Sequence, residues 1–175
     1  MSNAEIITKA LERSIRTITR QPSAGQGTGN MRIDVAPDGC CTAIDGDTSM
    51  VIDMSQMWGG QGTTPGPGFY LRAALGACLA QSYHIYAISH GVAFDEISVE
   101  IEDEYDMRGN LGIDKSIPPG YVAVRYAVNI RSSAPEEKIR EVIDYADALD
   151  FVRDIFARAV PMERVVNITR PEGTA

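Results

Sequence analysis

The chain has 175 residues, with 16 Lys plus Arg against 24 Asp plus Glu, a formal charge of −8, and 44% apolar residues. This is the composition of one soluble globular domain, long enough to bury a core without disulfide staples or a structural metal. The acid excess lacks the basic surface that a nucleic-acid reader or a polybasic membrane binder uses, so neither partner is expected.

No apolar run reaches the ~18 residues of a bilayer span and no apolar signal core precedes a cleavage site, so the expected location is cytoplasmic. Asn3 to Thr19 is amphipathic and carries Lys9, Arg13 and Arg16, as a transit peptide would, but Glu5 and Glu12 argue against one. Three cysteines, Cys40, Cys41 and Cys78, include an adjacent pair that cannot easily bridge to itself. They do not make a secreted disulfide framework and are read as packing or chemistry in a reducing compartment.

In chain order, Ile7, Leu11, Ile15 and Ile18 recur at helical spacing after Ser2 or Asn3 as cap, with Pro22 as the stop. Residues 22–30 are rich in Gly, Ser and Gln and read as a connection. Residues 1–29 are thus a helix with a flexible linker, and 30–175 form the single domain. Met31 to Val35, Cys40 to Ile44 and Ser49 to Met54 alternate, separated by Pro37-Asp38-Gly39 and Asp45-Gly46-Asp47, which predicts a three-stranded antiparallel meander. The loop Trp58 to Gly68 then feeds a long helix over Phe69 to His90, apolar around its circumference through Leu71, Ala74, Leu75, Ala77, Leu79 and Ile85. Such a helix is buried on more than one side. Strands follow at 97–102 and 122–128, then a helix opened by Pro135 with Ser133 as cap, a short helix from Phe151 to Ala159, and a last strand at 165–168. The order α, βββ, long α, ββ, αα, β favours an α+β fold with antiparallel pairing.

The chain has no P-loop, GxSxG, HExxH or CxxC motif. His84 and His90 lie six apart on the long helix, about 120° off a common face, so no two-His metal site is expected. The acids at Glu100, Glu102, Asp103, Glu104 and Asp106 alternate along a strand and read as a solvated edge. Cys78 is the thiol of interest, because its neighbours Ala74, Gly76, Ala77 and Ala80 are small enough for a ligand or another backbone to approach. A nucleophilic role needs a cation or donor at the sulfur. Arg72, Arg125 and Arg32 are the candidates, and the residues alone do not choose among them.

The segment PGPGFYLRAALGACLA at 65–80, followed by HGVAFDEI at 90–97, resembles the OsmC/Ohr family of bacterial stress proteins. Asp53 before Trp58-Gly59-Gly60, the Asp106-Met107-Arg108-Gly109 loop, Pro119-Gly120-Tyr121, Ser132 to Pro135, and Ala146 to Asp154 fall in the same order, so the resemblance covers roughly residues 30 to 170. It implies an OsmC-like fold with a second βββ/αα layer and an intertwined homodimer, its central helices packed across the two-fold. It also implies a peroxidatic Cys that forms a sulfenic acid and is resolved by a second Cys just before a Pro-Val pair. The resemblance further implies a hairpin Arg and a Glu after the Pro at the start of the central helix, which would activate that thiolate.

Only the peroxidatic Cys carries over, as Cys78. Asp150 stands at the resolving position, Gly68 at the Glu position, and no Arg lies near Pro37. Cys40 or Cys41 is a candidate substitute resolving thiol, and Arg72 and Arg125 are candidate thiolate partners. No cofactor and no metal are implied. Two functions follow as expectations. One is thiol-dependent reduction of organic hydroperoxides through Cys78, recycled by a small thiol or dithiol reductant. The other is a non-catalytic dimer that binds a small apolar or acyl ligand in the interface pocket.

Overall fold

In the computed structural model, which describes residues 1–170, the first element is helix α1, Asn3–Arg20. Its start is set by a capping box: Ser2 Oγ accepts from Glu5 N at 3.3 Å, while Ser2 N donates to Glu5 Oε2 at 2.8 Å. Ile7 and Leu11 are half-buried where α1 meets the central helix, but Ile15 and Ile18 further along are exposed.

Strands β1 (Arg32–Val35), β2 (Cys41–Asp45) and β3 (Thr48–Ile52) form the antiparallel meander. Its two turns use the residues expected of them. Asp38 Oδ1 accepts from Cys40 N, and Gly39 and Gly46 take positive φ values of 83° and 56° that a side chain would disfavour. The meander is a sheet of its own, not hydrogen-bonded to the second sheet, and every residue of β1 is exposed.

The body is built on helix α2, Pro67–Ser89. Pro67 occupies its first turn, where a missing N–H costs nothing. Leu75, Leu79, Tyr83 and Ala87 recur every fourth residue as its buried stripe. Strands β4 (Glu96–Tyr105) and β5 (Tyr121–Arg131) form a separate antiparallel ladder whose inner face, with Ile97, Val99, Ile101, Val124 and Val128, packs on that stripe. A Cβ at Gly76 would lie 3.3 Å from Ile101 Cγ1, so the glycine lets the helix seat closely on the sheet. Glu96, Glu100, Glu102 and Glu104 take the outer face, as their alternation predicts. Between these strands lies the short α3, Met107–Asn110, capped by Asp106, whose Oδ1 accepts from Arg108 N.

Helix α4, Glu136–Leu149, covers α2 with Val142 and Ala146, and α5, Phe151–Ala157, follows directly. Pro135 rather than Ser133 stands at the cap of α4, and no side chain caps it. Burying Leu79 and Val142, each almost without exposure, stabilises the body by about 1.5–3 kcal/mol apiece. The expected strand at 165–168 does not form. Residues 158–170 hold no regular structure, and the second layer contains two strands rather than three. Val165, Val166 and Ile168 have the propensity for a strand, but a strand also needs a neighbouring edge to bond to, and this segment pairs with none in the single chain.

Candidate functional site

Cys78 lies half-buried in the middle of α2, one turn before Ser82. Its sulfur faces the start of α5: the Asp150 carboxylate and the backbone N–H groups of Phe151 and Val152 are its polar surroundings. Asp150 is buried at 2% exposure, accepts from Ser82 Oγ at 2.8 Å, and caps α5 by accepting from Arg153 N at 2.8 Å. Burial foremost pushes the Cys78 thiol above the ordinary cysteine range; the Val152 N–H opposes it, hydrogen bonding to Asp150 and then the Asp150 charge add to it, and the Phe151 N–H opposes it least. At neutral pH the group is therefore a thiol whose neighbour is an acceptor, the reverse of an activated nucleophile.

The other candidates lie elsewhere. Cys40 Sγ is 3.9 Å from the Ile52 carbonyl oxygen and Cys41 Sγ 3.8 Å from that of Gly39, both within the meander, and all three cysteines are free. Arg125 pairs with Glu102 and Glu104 on the outer face of the β4–β5 ladder, and Arg32 pairs with Asp34. Arg72 Nη1 donates to Asp103 Oδ1 at 2.8 Å at the head of α2. Asp103, unlike the solvated acids beside it, has a side chain only 7% exposed, which corrects the expectation of a solvated edge at this position: its alternation parity turns it inward while Glu102 and Glu104 turn out.

Arg72 and Asp103 border a cleft of about 790 Å³. Its lining includes the apolar Met54, Trp58, Phe69 and Leu71 together with the Arg72–Asp103 pair and Tyr121. A Cβ at Gly68 would come within 3.4 Å of the Tyr121 hydroxyl and 3.6 Å of Arg72 Nη1, so these groups stand around the position left by a missing side chain. The wall from Met54 to Gly66 is shaped by Asp53, which is buried and accepts from Met54 N, Thr63 N and Thr63 Oγ1. Those donors, Thr63 N foremost, hold the Asp53 carboxyl below the usual carboxylate range. The sequence reading missed this cleft. Its one accessible signal was the Asp53 to Gly68 stretch, where aromatic and glycine residues without an apolar period precede a helix.

The OsmC-like protein family matches residues 60–164, more than half of the chain. The chain belongs to the OsmC family. Among solved structures, this OsmC-like chain is similar to the OsmC like protein from Mycoplasma pneumoniae, at 15% identity and TM-score 0.64, over 75% of this chain and 89% of that one. It is similar as well to an organic hydroperoxide resistance protein OsmC from Legionella pneumophila, at 14% identity and TM-score 0.53, over 74% and 89%. At these identities the likeness is one of fold. No curated protein matches the sequence. Within the OsmC-like fold, the sulfur of Cys78 faces residue 150, where the resemblance places a resolving Cys and this chain has Asp.

Proposed function

We propose that this OsmC-like chain is a small-molecule-binding homodimer whose cleft at the head of α2 takes a compact amphipathic ligand, with an aryl or acyl body against Trp58, Phe69 and Leu71 and a polar end toward Arg72, Asp103 and Tyr121. The observation that carries this reading is the buried Asp150 carboxylate at the Cys78 sulfur. It disfavours the thiolate that peroxide reduction requires, while the open cleft lies at a different part of the helix.

What one chain leaves uncovered supports the dimeric part of this reading. Ile33 and Val35 on β1, Phe151, and Met162, Val165 and Ile168 in the last described segment are all more than half exposed. Ala73, Ala74 and Ala77 give α2 an exposed face of small residues that a second α2 can approach closely. Apolar surface on this scale is characteristic of a subunit rather than of a monomer. Residues 30–175 then serve as the OsmC-like domain, and residues 1–29 as an addition to it.

A second reading is Cys78-dependent reduction of organic hydroperoxides, favoured by the half-exposed sulfur and by the Phe151 and Val152 N–H groups directed at it. In that reaction the thiolate attacks the terminal peroxide oxygen, the alcohol leaves, and the sulfenic acid is reduced by an external thiol.

One titration separates the two. Trp58 is the only tryptophan and lines the cleft, so its emission reports occupancy. With 4-phenylbutanol as the probe, the emission shifts saturably in the parent and equally in Cys78→Ser, and cumene hydroperoxide at pH 7 leaves Cys78 without a dimedone adduct. A silent Trp58, or rapid dimedone labelling of Cys78 at pH 7, refutes the binding reading.

A further inference from the structure

A second crevice, of about 360 Å³, opens beside β5 on the other side of Tyr121 from the cleft. Leu75, Val122, Val124 and Phe156 give it apolar walls, and Arg153 is its one charged lining residue. No acidic side chain lines it, unlike the larger cleft with Asp103 and Asp106.

The arginine is held in place from behind. Arg153 Nε donates to Tyr126 Oη at 3.1 Å, and Nη1 donates to the Asp147 carbonyl oxygen at 3.1 Å. Tyr126 Oη in turn donates to Asp147 Oδ2 at 2.7 Å, and the fully buried Tyr83 donates to Asp147 Oδ1 at 2.5 Å. Two phenols thus engage both carboxylate oxygens, and Asp147 Oδ2 stays 4.0 Å from Arg153 Nε, at the limit of an ion pair. The guanidinium is fixed through two of its three nitrogens, Nη2 has no protein partner among the described residues, and 38% of the side chain remains exposed. A rigidly held cation with unused donors at one end of an apolar slot matches a carboxylate with a hydrocarbon tail.

We infer that this crevice is a binding site for a small alkyl carboxylate, its carboxylate on Arg153 Nη2 and its tail along Leu75, Val122, Val124 and Phe156. The site is separate from the cleft proposed above and stands whether or not Cys78 reacts. An anionic head is required because a neutral or cationic one would leave the guanidinium donors unanswered or repelled. The tail selects against acetate-sized anions, which would leave the apolar walls wet.

The test is calorimetric titration of the full chain with octanoate, octanol, octylamine and acetate. Octanoate binds at one site per chain, each of the other three binds at least about tenfold more weakly, and Trp58 emission does not change. Arg153→Gln lowers octanoate affinity by about tenfold or more. Because Arg153 also supports Tyr126 and Asp147, Val122→Trp serves as the second variant: Val122 is half exposed, touches none of that network, and its replacement fills the slot. It too lowers affinity about tenfold. Octanol binding as tightly as octanoate, unchanged octanoate affinity in Val122→Trp, or an octanoate-induced Trp58 shift each overturns the inference.

Discussion

At its head α2 borders an open cleft, where Arg72 is paired with Asp103 yet still lines the space. Roughly two turns further on, the same helix presents Cys78 to the closed start of α5, where the nearest charge is negative and buried. The first region has room, aromatic surface and charges of both signs. The second has a thiol in an environment that keeps it protonated. Possession of the family's cysteine therefore says little by itself about reactivity; the group facing the sulfur decides it.

Stability should follow the same division. Leu79, with no exposure, lies one residue beyond Cys78, and Leu79→Ala is expected to cost about 3 kcal/mol in urea denaturation. Leu71 on the cleft wall is 45% exposed, and Leu71→Ala should cost under about 1 kcal/mol while weakening 4-phenylbutanol binding at Trp58. Equal costs would show that the head of α2 is as much core as its middle.

The next largest effect concerns Asp150. Asparagine keeps the size and remains a good helix cap, so Asp150→Asn should change stability by no more than about 1 kcal/mol. It removes the charge next to Cys78, lowering the thiol pKa and raising the rate of iodoacetamide alkylation at pH 7.5 about tenfold. An unchanged rate would mean that burial alone suppresses the thiol.

A smaller effect is expected at the cleft in acid. Because the Asp53 carboxyl lies below its ordinary range, the ionised form is favoured by the fold. The stabilisation it gives is complete above the unfolded carboxylate range near 4 and is lost as pH falls through the lowered folded value. Protonation there loosens the Met54 to Gly66 wall, so ligand affinity read at Trp58 should hold down to about pH 4 and decline several-fold below it, as pH passes through that lowered value. Asp53→Asn should show the weakened affinity already at pH 7.

Much of this was legible in the residues. Apolar spacing, the two hairpin turns and the run after Phe69, free of proline and with Gly76 as its one glycine, located the meander and the central helix, because those signals are local. The segment at 165–168 misled, since strand propensity without a partner edge makes no strand. The family followed from the motif around Cys78, and the residue at position 150 was already visible as an Asp. That its carboxylate meets the Cys78 sulfur depends on how α4 and α5 return over α2, a contact across about 70 residues that no spacing rule encodes. Asp103 and Arg72 meet for a similar reason, across the α2–β4 contact.

At neutral pH the protonated state of Cys78 is held by burial and by Asp150. The most direct test is the pH dependence of Cys78 alkylation, followed by peptide mass from pH 6 to 10 beside a free cysteine under the same conditions. A slower rate than free cysteine at pH 7 and an inflection above that of the free cysteine are expected. A Cys78 that outpaces free cysteine at pH 7, with its inflection below neutrality, would contradict this.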